Sequence, residues 1–258
     1  AASGIVVPRP PALCQGCGHR DMYTALTEVA GEYENAKVFS DIGCYTLGAM
    51  PPLAAVDSVV CMGASIGMAL GLEKARGRDF AKKTVAVIGD STFVHSGITG
   101  LVDMVYNQGH STVIIVDNST TGMTGHQPNP TTGFNVRGEI APQLDVVKLC
   151  EAIGVPSVRV VDPFNMKKLE QTIMEESEKD VPSVIIARRP CALLVKKKTA
   201  PCAINTDKCR KCGMCMKIGC PAILKAENGQ VSIDASLCNG CGLCKEMCHF
   251  GAIEGGER

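Results

Sequence analysis

Eight cysteines near the C-terminus are the strongest candidates for functional residues. They form two runs that begin with the same spacing. In each run the pattern Cys-x-x-Cys-x-x-Cys is followed by one further cysteine. Such a run directs three thiolates at one iron–sulfur cubane, and the fourth ligand comes from the other run. We therefore predict two [4Fe–4S] clusters: a first C-terminal cluster on Cys209, Cys212, Cys215 and Cys248, and a second C-terminal cluster on Cys238, Cys241, Cys244 and Cys220.

A pair of zinc knuckles is the competing interpretation of these runs. Zinc sites take four ligands in two pairs, and cysteines in triplets fit that pattern poorly. The residues Met216–Gly219 make the last spacing of the first run one residue longer than usual. A segment as short as 207–258 buries too small a core to fold alone, so bound clusters would stabilise it.

Polar residues follow two apolar runs further upstream. Gly89, Asp90 and Ser91 come directly after the run Thr84–Ile88, and Asn118 follows the next such run. Carboxylate and amide oxygens at the carboxyl ends of adjacent parallel strands suit Mg²⁺, and a diphosphate can complete its shell. We predict that Asp90 and Asn118 hold the metal, with an ordinary helix cap at Asp-Ser as the alternative.

The elements that position these residues alternate along the chain. Short apolar runs predict buried parallel strands at Ala36–Ser40, Thr84–Ile88, Thr112–Val116, Val158–Val161 and Ser183–Ala187. Helical patterns lie between them at Asp21–Tyr33, Gly63–Ala75, Ser96–Gln108, Leu144–Ile153 and Asn165–Lys179. This alternation predicts an α/β domain with a doubly wound parallel sheet over residues 1–190. A connector over 191–206, including Lys196–Lys198, then leads to a small ferredoxin-like α+β domain over 207–258.

The motifs of the larger domain resemble those of thiamine diphosphate enzymes, whose diphosphate motif begins Gly-Asp-Gly and ends Asn-Asn. Here the ends read Gly89-Asp90-Ser91 and Asp117-Asn118. The stretch 117–127 resembles the cofactor loop of 2-oxoacid:ferredoxin oxidoreductases, and most of all that of the indolepyruvate enzymes. The resemblance implies that Thr120 gives a backbone carbonyl to the metal. It also implies that the cofactor meets Gly63, Gly89, Ser91 and Gly122.

The same family holds a cluster near the cofactor, and two segments here resemble its ligands. These segments are Cys14-Gln-Gly-Cys17 and Gly43-Cys44. Cys191 falls about where related subunits place the fourth ligand, and Cys202 is its competitor. The resemblance therefore implies a third cubane, the proximal cluster, on Cys14, Cys17, Cys44 and Cys191. A zinc site and free core thiols are the alternatives.

Three further residues are candidates for contact with substrate. His126 follows the cofactor loop and could approach the diphosphate or a substrate carboxylate, whereas His95 could contact substrate or cap a helix. Met123 stands where pyruvate-using relatives carry Asn, and its soft apolar side chain suits a larger aromatic substrate. In the helix after Met62, we interpret Gly63 as a cofactor contact, and Gly67 and Gly71 as sites of close helix packing.

The resemblance implies oxidative decarboxylation of a 2-oxoacid, such as indolepyruvate, with coenzyme A, and passage of the electrons to ferredoxin. Such enzymes need a second α/β domain, which residues 1–258 do not accommodate. Another subunit would supply it, or an N-terminal part of the same polypeptide, since the chain begins without Met. A hetero-oligomer is therefore expected. An electron-transfer subunit without catalysis and an enzyme for another 2-oxoacid are the alternatives.

The composition limits the partners and the cellular location that we expect for this chain. Lys plus Arg and Asp plus Glu both number 26, so no net field favours nucleic acid or an anionic membrane surface. No stretch approaches the roughly 20 apolar residues that span a bilayer, and the N-terminus lacks the features of a signal peptide. The chain has 15 cysteines, many in Cys-x-x-Cys runs, which indicates metal ligation rather than disulfides. We expect a cytoplasmic protein.

Overall fold

The computed structural model describes residues 10–195 and 199–257. Within these ranges no helix is both long and apolar enough to cross a bilayer. The predicted lysine run Lys196–Lys198 lies outside the described residues.

A six-stranded parallel sheet forms the centre of the larger domain, with strand order β2-β1-β3-β4-β6-β5. Its strands are β1 (Lys37–Ser40), β2 (Ser58–Val59), β3 (Thr84–Gly89), β4 (Thr112–Asp117), β5 (Ser157–Val161) and β6 (Ser183–Arg188). β3, β4 and β6 are central, and nearly all of their side chains are buried. Continuous apolar runs such as Ile114–Val116 are typical of strands covered on both faces.

Helices cover both faces of this sheet. They are α1 (Gly18–Ala30), α2 (Ala64–Arg76), α3 (Arg78–Ala81), α4 (Asp90–Thr92), α5 (Ile98–Tyr106), α6 (Val146–Ile153) and α7 (Met166–Ser177). Alternate residues of β3 enter different cores: Val85 and Val87 pack with α1 and α7, and Ala86 and Ile88 pack with α2, α5 and α6. This period of two gives the doubly wound arrangement that the sequence predicts.

Two interpretations from the sequence are wrong. Val158–Val161 was expected to be buried on both faces, but β5 is an edge strand and exposes Arg159 and Val160. Close helix packing was expected at Gly67 and Gly71, but a Cβ atom at either position would meet open space. A stripe of small residues on a helix does not by itself predict that another helix or strand packs against that face.

The C-terminal segment forms two small antiparallel ribbons and one short helix, and it packs around its own core. Its elements are β7 (Ala203–Ile204), β8 (Ile223–Lys225), β9 (Val231–Ile233), α8 (Leu243–Glu246) and β10 (Ile253–Glu254). β7 lies within the predicted connector and pairs with β10, and β8 pairs with β9. The core includes six of the eight cysteines of the two runs, either buried in it or packed against it.

The C-terminal segment contacts the larger domain through the first loop and helix of the chain. Asn239 Nδ2 donates to Gln15 O at 3.0 Å, and the guanidinium of Arg20 donates to Ile218 O. A Cβ atom at Gly16 would lie 2.1 Å from Asn239 Nδ2, so only glycine permits this approach. These contacts bring the Cys14–Cys17 loop against the second cysteine run.

Candidate functional site

The polar residues after β3 and β4 meet at one edge of the sheet. Gly89 pairs in register with Val116, which sets Asp90 beside Asp117. Asp90 is 3 % exposed and is the first residue of α4 rather than its cap. Burial and the nearby charge of Asp117 raise the pKa of Asp90 to about 6. Asp117 is itself paired, since Arg188 Nε lies 2.7 Å from its Oδ2.

The long loop after β4 closes over this edge. Thr121 Oγ1 donates to Ser91 Oγ at 3.0 Å, and Thr131 Oγ1 donates to Asp90 Oδ2 at 3.4 Å. Asn118 Oδ1 accepts from Thr120 N at 3.2 Å, which turns the backbone sharply after the strand. Long loops without regular elements are uncommon in compact domains and usually carry function.

A cavity of about 290 Å³ lies between the two strand ends and this loop. It brings together most of the predicted cofactor and metal residues, namely Gly89, Asp90, Ser91, Asn118, Thr120, Gly122 and Met123. Three predicted residues do not line it, namely Gly63, His95 and His126. Gly63, with φ of +89°, lies against Ser96 instead, and His95 is exposed within the π-helical turn Phe93–Gly97.

A second cavity, of about 350 Å³, is lined by all four predicted ligands of the proximal cluster: Cys14, Cys17, Cys44 and Cys191. Most of its remaining wall is apolar, including Leu13, Leu47 and Leu193. Burial raises the pKa of all four thiols, that of Cys44 to about 11, and the charges of neighbouring cysteines add to the rise for most of them. A bound metal would have to displace these protons.

The two cavities share a wall. His19, Cys44, Val116, Asn118, Gly122 and Met123 line both of them. A Cβ atom at Gly122 would lie 3.4 Å from Cys44 Sγ and 3.6 Å from Asn118 Nδ2, so the backbone runs directly between a predicted cluster ligand and a predicted metal ligand. The arrangement places the predicted cluster beside the predicted cofactor.

His126 lies on the cluster side of this wall. Its Nε2 is 3.7 Å from Cys191 Sγ, and it lines the cavity of the four cysteines rather than the cavity beside Asp90. Contact between His126 and substrate or diphosphate therefore stays a prediction. The same holds for His95, which lies further from both cavities.

Sequence reasoning missed two side chains of this site. His19 lines both cavities, and burial lowers its pKa to about 4, so the imidazole is neutral at pH 7. Its Nε2 is buried and has no hydrogen-bond partner among the described residues. Asp41 accepts from the backbone and hydroxyl of Ser65, which fixes the start of α2 beside the cavity. The only local signal for His19 was its place two residues after Cys17.

The C-terminal cysteines separate into the two predicted groups. Cys209, Cys212, Cys215 and Cys248 line one small cavity. In the other group, Cys220 lies close enough to Cys238 and Cys244 for their charges to act on one another, and Cys241 acts on Cys244. The crossed pairing of the runs therefore agrees with the geometry.

Cys202 lies with the second of these groups rather than with the proximal cysteines. Its backbone N–H donates to Cys238 Sγ at 3.4 Å, and its side chain hydrogen-bonds that of Cys244. Cys191, by contrast, lines the proximal cavity, where Asn118 O accepts from its backbone N–H at 2.9 Å. The geometry therefore favours Cys191 over Cys202 as the fourth proximal ligand.

No three His, Cys, Asp or Glu side chains among residues 10–195 and 199–257 converge closely enough to hold one metal ion. A zinc site requires four ligands around a single ion. The thiolates of a cubane bind different irons and need not converge on one point.

Comparison with known families agrees with both parts of the chain. The family described as "Thiamine pyrophosphate enzyme, C-terminal TPP binding domain" matches residues 41–187, which include both strand ends and the loop over them. The chain belongs to this family. The family described as "4Fe-4S binding domain" matches residues 231–254, which contain the second cysteine run.

Curated relatives match most of the chain. An indolepyruvate oxidoreductase subunit IorA from Archaeoglobus fulgidus is 42% identical over 83% of the chain, and one from Pyrococcus abyssi is 40% identical over 84%. The predicted resemblance is thus confirmed. The chain spans only 35% and 36% of the lengths of these relatives.

A more distant sequence relative and a solved structure add to the comparison. A 2-oxoglutarate synthase subunit KorB from Methanocaldococcus jannaschii is 28% identical over 58% of the chain and 57% of its own length. The 2-oxoglutarate:ferredoxin oxidoreductase of Magnetococcus marinus matches with a TM-score of 0.60 at 20% identity, over 74% of this chain and 67% of that one. The predicted fold, a parallel α/β domain followed by a 4Fe–4S segment, is confirmed.

The position of Cys202 gives a direct test of the proximal ligands. We expect Cys191→Ser to lose about four irons, one cubane, because Cys191 lines the proximal cavity. We expect Cys202→Ser to retain its iron, because the group around Cys202 keeps four other cysteines. Anaerobic iron and sulfide analysis of the two purified variants measures this. Loss of iron from Cys202→Ser alone would reverse the assignment.

Proposed function

We propose that this chain is the cofactor-binding and electron-transferring part of a 2-oxoacid:ferredoxin oxidoreductase. The observation that carries the proposal is the shared wall between the cavity beside Asp90 and the cavity of Cys14, Cys17, Cys44 and Cys191. A non-oxidative decarboxylase has no use for an electron acceptor in contact with its cofactor. A pure electron carrier has no use for a cavity at the strand ends.

Thiamine diphosphate and Mg²⁺ fit the residues beside that wall. Asp90 offers a buried carboxylate whose raised pKa a divalent cation would offset. Asn118 and Thr120 offer amide and carbonyl oxygens in the same cavity, and Mg²⁺ commonly takes one or two carboxylates together with phosphate oxygens. When bound, the cofactor supplies stabilisation of the negative charge left by departing CO₂.

This chain's own residues do the positioning. Asp90, Asn118 and Thr120 would hold the metal, the loop from Thr121 to Thr131 would border the diphosphate site, and Met123 would add an apolar contact at the mouth of the cavity. Three [4Fe–4S] clusters, when bound, supply one-electron carriers. The proposed catalytic part is 1–190 and the proposed electron outlet is 207–258, and the end of the connector 191–206 belongs with the outlet because β7 pairs with β10.

The rest of the active site lies outside this chain. Because the chain spans about a third of its curated relatives, a further domain or subunit holds the other end of the cofactor and completes a hetero-oligomer. Coenzyme A accepts the acyl product. An aryl pyruvate such as indolepyruvate fits the half-exposed Met123, which adds an apolar surface to the mouth of the cofactor cavity. The cytoplasmic location stays a prediction.

A reductase assay on the full-length protein with its partner subunits tests this function. We expect ferredoxin reduction that requires 2-oxoacid, coenzyme A and thiamine diphosphate together. The kcat/KM for indolepyruvate should exceed that for pyruvate or 2-oxoglutarate. The Met123→Asn variant should lower the ratio of these kcat/KM values by about tenfold, which is the usual contribution of a single pocket contact to specificity. Aldehyde release without ferredoxin reduction would contradict the proposal, and so would the absence of any oxoacid turnover.

The raised pKa of Asp90 predicts how Mg²⁺ binding depends on pH. Its carboxyl group is protonated below about pH 6 without metal, and the cation must displace that proton. The Mg²⁺ affinity in the presence of thiamine diphosphate should therefore fall about tenfold for each pH unit below 6 and level off above it. Calorimetric titration from pH 5 to pH 8 measures this.

The Asp90→Asn variant isolates that contribution from the titration of the diphosphate itself. We expect it to bind Mg²⁺ more weakly at pH 8 by at least about tenfold and to lose part of the dependence on pH. Asp103→Asn is the matched control, because Asp103 is an exposed carboxylate on α5. Identical pH profiles for wild type and Asp90→Asn would exclude Asp90 as a ligand.

Electrons leave through the first C-terminal cluster in this account. Its loop is exposed, including Cys212, and it carries the exposed basic residues Arg210 and Lys211. Gly240, Gly242 and Cys244 of the second run are buried instead, and Asn239 of that run faces the Cys14–Cys17 loop. Positive charge around an exposed electron outlet favours an acidic ferredoxin.

Charge reversal tests this outlet. The double variant Arg210→Glu, Lys211→Glu should lower the association rate with an acidic ferredoxin by about tenfold at low salt, with reduction of a small viologen dye unchanged. Lys167→Glu, Lys168→Glu is the matched control, because these residues form an exposed basic pair at the start of α7. If both double variants lowered the association rate equally, the first C-terminal cluster would be excluded as the electron outlet.

A further inference from the structure

Arg20 is a charged side chain in the interior that the proposed function does not use. It lies in the first turn of α1, three residues after Cys17, and is 2 % exposed. Its guanidinium donates to the backbone carbonyls of Leu13 and Ile218, and more weakly to Cys14 O at 3.4 Å. One side chain thereby ties the start of the larger domain to the C-terminal segment.

The two ends of this contact belong to different cysteine groups. Cys14 and Cys17 are proximal ligands, and Ile218 comes two residues before Cys220, a ligand of the second C-terminal cluster. Arg20 lies close enough to all three thiols for its charge to act on each of them. A Cβ atom at Gly219 would lie 3.4 Å from Arg20 Nη1, so the guanidinium reaches the loop that carries Cys220.

Hydrogen bonds alone do not balance the charge of this guanidinium. Burying an ion is costly unless an opposite charge lies nearby, and carbonyl groups carry no net charge. The Nε atom of Arg20 is buried and has no hydrogen-bond partner among the described residues. Asp21, the next residue on α1, is buried as well, and its charge and that of Arg20 both act on Cys17.

Two iron–sulfur clusters would place negative charge beside this guanidinium. A cubane held by four thiolates is anionic, and each added electron makes it more so. We propose that Arg20 is a countercharge shared by the proximal cluster and the second C-terminal cluster, and that it raises the reduction potentials of both. This inference rests on the cluster assignment of the proposed function and adds to it the residue that couples two of the three clusters.

The charge of Arg20 should act on two of the three clusters and not on the third. A positive charge in a poorly screened interior stabilises the reduced form of nearby clusters. The first C-terminal cluster has its own exposed loop at Cys212, and the charges that act most strongly on Cys215 are those of Cys212, Cys248 and Cys209. Removal of the charge should therefore affect two clusters and spare the third, which a general loosening of the fold would not do.

EPR-monitored potentiometric titration of the anaerobically purified full-length protein, with its partner subunits, tests the proposal. We expect Arg20→Gln to lower the potentials of the proximal and second C-terminal clusters and to leave the first unchanged. Arg20→Lys keeps the charge and should retain most of both potentials. Arg76→Gln, an exposed arginine at the far end of α2, is the matched control.

A second measurement covers the case in which Arg20→Gln loses its clusters. In protein labelled with ¹⁵N-arginine, pulsed EPR of the two reduced clusters should detect a coupled guanidinium nitrogen, and Arg20→Lys should abolish that coupling. Unchanged potentials in Arg20→Gln, equal shifts of all three clusters, or no arginine coupling in the wild type would overturn the proposal. Iron content separates the two claims: about eight irons instead of about twelve would refute the third cluster itself.

Discussion

The pairing of β3 with β4 is the interaction on which the rest of the site depends. Their parallel register sets Gly89 opposite Val116, so that both strands end at the same level and release their polar residues at one edge. Asp90 is buried there beside Asp117, and burial, together with the charge of Asp117, raises the pKa of Asp90. A shift of this register by one residue would turn Asp90 toward the other face of the sheet.

The same edge of the sheet also places the predicted cofactor site next to the predicted proximal cluster. The loop after β4 runs back across the strand ends and puts Gly122 between Cys44 and Asn118. Cys191 follows β6, the neighbour of β4, and its backbone N–H donates to Asn118 O. Three chain segments that are distant in sequence thus meet at one wall because their strands are adjacent, and a cofactor on one side of it is close to a cluster on the other.

The sequence predicts those parts of the molecule that depend on local spacing. The cysteine runs, the central strands and the polar residues that follow them are all readable from short windows, since their meaning is set by neighbours along the chain. Val158–Val161 was misjudged because an apolar run does not reveal whether a further strand lies outside it. The assignment of Cys191 required a resemblance to a family, because no local pattern links it to Cys14.

The residues that the sequence did not reveal act across long separations. His19, Asp41, Cys202 and Arg20 stand in unremarkable local contexts, and their roles arise from partners that the fold brings to them. Arg20 meets Ile218 only when the C-terminal segment packs against the Cys14–Cys17 loop, whereas Cys202 meets Cys238 and Cys244 within that segment's own core.

Anomalous diffraction at the iron edge, from crystals of the loaded full-length enzyme, would show whether an iron–sulfur cluster lies beside the cofactor site. We predict three iron clusters per chain, one of them held by Cys14, Cys17, Cys44 and Cys191, across the shared wall at Gly122 from the metal site at Asp90. Iron at the two C-terminal sites alone would contradict this prediction, as would a third cluster at any other place in the chain.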